Sequence, residues 1–331
     1  MNKNLLYPLE FESIYKEKLW GGKKIKTELG KDFGNLPNCG ETWEVSGVKG
    51  NISVVKHGVF KGKSLRDMIK DHKGELIGER VYEKFGVDFP LLVKFIDAND
   101  DLSVQVHPND KVAKERHHSF GKTEMWYVMQ ADPGSSLIIG FNQDLNQEIY
   151  LKKFREGKLM DILNREEVVA GDVFFLPAGR VHTIGKGLLI AEIQQASDIT
   201  YRIYDFDRVD ADGKSRELHF EEALDVMDYS KPAKYKIKYE EITNQKQSLV
   251  NNEYFHTNKI CLTQPFSVNL TIDSFKIYII LEGMVDLEVL GESYSFSKGD
   301  VVLIPAIFST YDFRPVGKVS MLETHMPSTY R

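Results

Sequence analysis

The chain has 331 residues, enough for two domains, and 42% of them are apolar, which favours a packed globule over disorder. A formal net charge of −6, with both signs mixed along the chain, offers neither a nucleic-acid patch nor a polybasic membrane anchor. Two cysteines without Cys-x-x-Cys spacing, Cys39 and Cys261, argue against a disulfide framework or a zinc knot, and the run Leu5-Leu6-Tyr7-Pro8 after Lys3 is too short for a signal peptide, so a cytoplasmic setting is expected.

In chain order, residues 1–20 read as short apolar pieces broken by Pro8, an edge strand and a turn ending at Leu19-Trp20-Gly21-Gly22. Thr42-Trp43-Glu44-Val45-Ser46 and Ile52-Ser53-Val54-Val55 read as strands, and His57 as a surface residue. Over residues 64–84 the apolar positions Leu65, Met68, Ile69, Leu76, Ile77 and Val81 recur at helical spacing behind a capping Ser64, with Gly74 as the dividing point. Pro90-Leu91-Leu92-Val93-Lys94-Phe95-Ile96 is a buried strand carrying one lysine, and Lys94 must therefore reach water or an anion.

Leu102-Ser103-Val104-Gln105-Val106-His107-Pro108 alternates with a period of two and turns Ser103, Gln105 and His107 to one face. A polar helix is expected over residues 110–118, with His117 and His118 solvated because adjacent side chains diverge. Strands follow at Tyr127-Val128-Met129 and Ser136-Leu137-Ile138-Ile139-Gly140, then a mainly helical interruption over residues 144–165. In the strand Leu188-Leu189-Ile190-Ala191-Glu192-Ile193-Gln194-Gln195, alternation places Ile190, Glu192 and Gln194 on one face and Leu189, Ala191 and Ile193 on the other. Residues 217–228 read as an amphipathic helix, and Lys231-Pro232-Ala233-Lys234 as a boundary between a first domain, residues 1–230, and a second, residues 231–331.

Gln105, His107, Glu124 and His182 together offer two imidazole nitrogens and two oxygens. That set suits a borderline divalent cation such as zinc, with a position left for water or substrate. Gly171-Asp172, Pro177, Gly179 and His182 have the spacing of the second cupin motif, and Gln105-x-His107 followed by Glu124 resembles the first with an insertion before the acid. Gln105-Val106-His107-Pro108 leading to Lys122-Thr123-Glu124 is similar to the form found in type I phosphomannose isomerases. Lys94, Ser103 to Pro108, Pro177 to His182, Glu192, Ala196-Ser197-Asp198 and Arg202 also follow that family's order, and Glu41-Thr42-Trp43-Glu44-Val45-Ser46 resembles the early signature of its shorter bacterial branch.

The resemblance implies a mainly β fold of two cupin jelly rolls with a helical insertion in the first. It implies interconversion of mannose 6-phosphate and fructose 6-phosphate with one Zn2+ per chain, other divalent metals being compatible. Gln105, His107, Glu124 and His182 would ligate the metal. Arg202 would polarise a substrate oxygen or hold phosphate, Lys122 would move the proton, Lys94 and Ser103 would bind phosphate, and Glu192 and Trp20 would line the cavity. The expected partner is a small sugar phosphate, with no nucleic acid or membrane, and the expected state a monomer or weak homodimer. Three cations around a metal with one carboxylate ligand make a locally positive cavity in an acidic protein, which suits a phosphate dianion. The competing readings are a sugar-phosphate sensor that has lost turnover and an iron-dependent cupin oxygenase. The last hundred residues repeat the barrel pattern without ligands: Ile277-Tyr278-Ile279-Ile280 matches Trp126-Tyr127-Val128-Met129, with Phe275 in the place of Glu124 and Thr310 in that of His182.

Overall fold

The computed structural model describes residues 6–210, 212–269 and 272–328; Lys3 and Leu5 of the N-terminal run lie outside them. The fold is mainly β, and all the strand pairs in its three sheets are antiparallel. The first sheet orders its strands Ile14–Lys16, Glu41–Ser46, Leu91–Ala98, Leu188–Gln195, Glu124–Ala131, Val173–Leu176 and Lys236–Ile237. The second orders Tyr201–Tyr204, Val104–Val106, His182–Ile184, Ser136–Phe141 and Leu163–Glu167. Trp126, Val128, Ile190 and Phe174 of the first pack with Leu137, Ile139 and Ile184 of the second in one buried cluster, so the two sheets face each other as a jelly roll.

The first sheet is covered on both sides, which is why every residue of Leu91–Ala98 and Leu188–Gln195 is buried. Leu189, Ala191 and Ile193 turn away from the jelly-roll interior toward the helical segments and the C-terminal unit, while Leu188 and Ile190 turn inward, matching the expected alternation. The segment over residues 64–84 forms three helices, Leu65–His72, Gly74–Ile77 and Glu79–Phe85. Ser64 caps the first by accepting from Asp67 N, as expected. The breaks fall at Lys73 (φ 48°) and Gly78 (φ 96°) rather than at Gly74. Gly78 is required there, since a Cβ would meet Asp273 O at 2.6 Å, and Asp273 caps the third helix by accepting from Glu79 N and Arg80 N.

The expected polar helix is Asp110–His117, capped by Asn109, and the interruption after residue 144 is Gln147–Arg155 and Leu159–Ile162. These last two helices and Phe220–Val226 cover the outer face of the second sheet, where Val104 and Val106 join Phe141 and Tyr150. Ile52 to Val55 forms only bridges, Val55 with Phe11 and Val54 with Ser64, rather than a ladder strand.

Lys236–Ile237 still pairs with Val173–Leu176, and the third sheet begins at Lys246–Asn251. Its long bent strands Lys276–Val289 and Thr310–His325 pair with each other and carry Glu292–Ser297, Val301–Ile304, Phe266–Asn269 and His256–Leu262 along their edges. The two units share one apolar core containing Phe95, Met125 and Ile193 with Phe275, Ile277 and Leu303. Leu9 and Leu303 also exchange both backbone hydrogen bonds at 2.8 Å, which ties the start of the chain to the second unit. Among the described residues no helix is long and apolar enough to cross a membrane.

Candidate active site

Both sheets of the first unit contribute to one buried centre. On the second sheet Gln105 is the register partner of His182 and of Arg202, so the strand that leads to His107 lies between the other two contributors. On the first sheet Glu124 lies opposite Gln194 and Leu176, and Lys94 opposite Glu192. The alternation read from the sequence holds: Val104 and Val106 are in the outer core, and Gln105 and His107 turn inward.

The ligating atoms of His107, Glu124 and His182 all lie within 4.8 Å of one another, and all three residues are buried. Glu124 Oε2 is 3.5 Å from His107 Nε2, and Oε1 is 3.3 Å from His182 Nε2. His107 Nδ1 donates to Ile199 O at 2.9 Å and His182 Nδ1 to Arg180 O at 2.8 Å, which leaves both Nε2 lone pairs aimed at the shared centre. Burial, reinforced by the nearby Lys122 charge, holds His107 well below the ordinary imidazole range; burial pushes His182 down to about 3. Both rings are thus neutral ligands near neutral pH. The two Glu124 oxygens are buried and accept no directed hydrogen bond, and burial pushes this carboxyl up to about 7. Two neutral imidazoles and a buried carboxylate whose charged neighbour is Lys122 at 3.2 Å, converging on one point, fit a divalent cation.

Gln105 reaches the same centre, with its amide nitrogen 3.2 Å from His182 Nε2 and its oxygen turned to Ser103 Oγ at 3.4 Å. A flip of the amide exchanges the two ends, and the oxygen then faces the centre. Lys122 Nζ lies 3.0 Å from His107 Nε2 and 3.2 Å from Glu124 Oε2.

The turn before His182 is fixed by Gly179, whose φ of +87° favours glycine and whose Cβ would meet Val226 O at 2.7 Å. Gly179 N donates to His107 O at 2.9 Å, so this turn sets the spacing of two candidate ligands at once.

Beside the centre opens a cavity of about 380 Å³ lined by Trp20, Lys94, Ser103, Gln105, Lys122, Glu192 and Arg202, all named from the sequence, and also by Lys16, Lys18, Glu41, Trp43, Asn51, Asp198 and Arg216. Lys94 is buried with Nζ 2.9 Å from Glu192 and 3.9 Å from Glu41. Burial raises Glu192, but Lys94 and Lys122 more than offset it, and the group stays below the usual carboxylate range. Trp126 Nε1 donates to Glu192 Oε2 at 2.8 Å. Arg202 donates from Nη1 to Glu217 O at 2.7 Å, while its buried Nε has no partner; the nearby Asp205 is taken by Arg208 and Arg216. Glu41 and Trp43 were not singled out from the sequence as site residues. Their signal was an acid and an indole two positions apart on one strand, which share a face.

His117 and His118 are exposed and apart from the centre, as expected, with His117 Nε2 2.8 Å from Tyr201 OH. In the second unit, strand pairing corrects the expected match. Lys276 is opposite Ile304 as Glu124 is opposite Leu176, so Lys276 rather than Phe275 takes the place of Glu124. Thr310 opens its strand as His182 does, and His325 is buried opposite Lys276 and 5.0 Å from the His256 ring.

Residues 9–132 match the sequence model for the phosphomannose isomerase type I catalytic domain, and residues 245–325 that for the mannose-6-phosphate isomerase cupin domain. Mannose-6-phosphate isomerase from Streptococcus mutans is 36% identical over 319 residues, covering 96% of this chain and 98% of that protein. Mannose-6-phosphate isomerase ManA from Bacillus subtilis is 35% identical, covering 96% and 99%. The crystal structure of the Bacillus subtilis mannose 6-phosphate isomerase superposes with a TM-score of 0.87 at 29% identity, covering 96% of this chain and 99% of that one.

Proposed function

Because the chain belongs to the type I phosphomannose isomerase family, we propose that the cavity beside His107, Glu124 and His182 is where it converts mannose 6-phosphate to fructose 6-phosphate and back. The protein is an aldose–ketose isomerase of mannose metabolism with a metal-binding site in its first jelly roll. The observation that carries this reading is the convergence of the three donors next to a sugar-sized cavity, in a chain similar to isomerases along almost its whole length.

His107 Nε2, His182 Nε2 and the Glu124 carboxylate would hold the ion, and Gln105 would add its amide oxygen after the flip. We assign the ion as Zn2+, one per chain; the donor set also accommodates manganese, cobalt or iron. When bound, the cation supplies Lewis acidity to substrate oxygens.

The reaction moves a proton between the adjacent carbons C1 and C2 through an enediol, so it needs a group that takes and returns the proton and a cation near the oxygen that gains charge. Lys122, in the cavity wall and in contact with two ligands, is assigned to proton transfer. Arg202, beside Gln105 and without a carboxylate partner, is assigned to polarising a substrate oxygen. Lys94 is matched by Glu192 and Glu41, which favours orienting Glu192 over contacting phosphate directly. Ser103 and Trp20 line the wall as substrate contacts. The unpaired, buried thiols of Cys39 and Cys261 suit a reducing, cytoplasmic setting.

A coupled assay of mannose 6-phosphate conversion tests the assignment: turnover is expected in the metal-loaded protein, lost on chelation and restored by Zn2+. Metal-loaded protein without turnover would overturn it.

A further inference from the structure

Six cationic side chains line the cavity: Lys16, Lys18, Lys94, Lys122, Arg202 and Arg216. Four are already matched by carboxylates. Lys18 is 3.4 Å from Glu41, Lys94 is 2.9 Å from Glu192, Lys122 is 3.2 Å from Glu124, and Arg216 donates to Asp205 from Nε at 2.7 Å. Among the described residues only Lys16 and Arg202 line the cavity without an ion-pair partner. Lys16 donates to the neutral Asn51 Oδ1, and its Nζ stands 4.9 Å from the centroid of the Trp43 ring.

These two cations are carried by different sheets. Arg202 is the register partner of Gln105 and so lies beside the metal-binding centre, with Asp198 on the same segment. Lys16 belongs to the edge strand of the first sheet, paired with Glu41; two further strands stand between Glu41–Ser46 and the strand that carries Glu124. A hexose 6-phosphate is an elongated ligand, with its reacting carbons C1 and C2 at one end and its phosphate on C6 at the other. With the reacting end at the metal-binding centre, the phosphate falls at the opposite end of the cavity.

We propose that Lys16, steadied by Asn51 and the face of Trp43, is the residue that recognises the substrate phosphate, on the strength of its being the cavity cation on the edge strand, with three strands between its own and that of Glu124, and with no carboxylate among the described residues to neutralise it. The assignment deepens the isomerase reading and rests on it for the direction in which the sugar lies. Binding phosphate here exchanges only a neutral amide contact for an ionic one, whereas Lys94 would have to leave two carboxylates. A lysine on an aromatic face keeps its stem fixed while the ammonium stays available as a point charge. A contact made equally in ground and transition states appears in KM rather than kcat, and that is the signature expected of Lys16.

The test is Lys16→Met, which keeps the stem and removes the charge, with Lys16→Arg as the conservative variant. For mannose 6-phosphate, KM of Lys16→Met is expected to rise roughly ten- to hundredfold with kcat within about twofold of wild type, and Lys16→Arg to recover most of the loss. Inorganic phosphate, titrated calorimetrically into the metal-loaded proteins, is expected to bind Lys16→Met roughly tenfold more weakly than wild type. An unchanged KM, a fall in kcat with KM intact, or equal phosphate binding by the two proteins would overturn the proposal. Should the wild type fail to turn over the sugar phosphate, the isomerase reading fails, and the phosphate titration still decides the role of Lys16.

Discussion

Opposite Leu176 in the first unit stands Glu124; opposite Ile304 in the second stands Lys276. Next along each strand on the inward face, Trp126 Nε1 donates to Glu192 at 2.8 Å, and Tyr278 OH donates to Glu323 at 2.7 Å. Glu192 and Glu323 are therefore counterparts, and so are the strands that present them. In the first unit the position two residues before the indole carries a carboxylate, flanked by two neutral imidazoles. In the second it carries an ammonium 2.9 Å from Glu323, with Lys246 at 2.6 Å on the other oxygen and Asn258 donating at 3.0 Å. The same scaffold thus makes a centre that receives a cation where a carboxylate stands between two imidazoles, or one closed by its own lysine where they are replaced.

The strongest way to break this comparison is to remove the charge at each of the two positions in turn. Glu124→Gln is expected to lose bound metal and to lower kcat/KM by well over about a hundredfold, while Lys276→Met keeps kcat/KM within about threefold of wild type. Metal analysis and the coupled assay on both purified variants decide the matter; activity that depends equally on Lys276 would abolish the distinction.

A second comparison concerns stability. Glu323→Gln leaves Lys276 and Lys246 without their carboxylate, and unfolding in urea is expected to show a loss of about 3–5 kcal/mol, with kcat of the remaining folded protein unchanged. The same carboxylate sets an acid window. Burial raises its pKa, but Lys276 and Lys246 outweigh burial and hold Glu323 down to about 2, against 4.5 when unfolded. A depressed carboxylate stabilises the fold fully above its unfolded value, so this contribution is lost as pH falls from about 4.5 toward 2. Urea midpoints across that range should fall more steeply for the wild type than for Glu323→Gln.

The smallest effect comes from cutting the matching hydrogen bonds. Tyr278→Phe is expected to cost about 1.5–3 kcal/mol of stability and nothing in turnover, because Glu323 serves only the core. Trp126→Phe frees Glu192 beside the cavity, so its cost should appear in kcat/KM, roughly tenfold, as well as in the urea midpoint.

Much of the first unit was legible because alternation along its strands agrees with the fold. Gln105 and His107 share a face by alternation, and Glu192 separates from Ile193 in the same way. Lys94 stood out as the lone charge in an apolar strand. Less visible was the wall formed by Lys16, Asn51 and Trp43, which meets the ligand strands only through sheet order, and sheet order is carried by long-range pairing that no local pattern encodes. The Phe275 match failed for a specific reason: aligning Tyr278 with Tyr127 slips the strand by one residue, and a one-residue slip exchanges the two faces. The aromatic counterpart of Tyr278 is Trp126. The helical stretch over residues 64–84 misled in a smaller way, since Lys73 adopts φ 48° without being glycine and the break needs Gly78 to pass Asp273.

The reciprocal backbone bonds between Leu9 and Leu303 have a consequence for how the protein is made. The segment holding Leu9 finds its partner only in the second unit, so the first unit, on leaving the ribosome, carries an unsatisfied edge until the strand of Leu303 has been made. The second unit thereby acts as a clasp on the newly made first one.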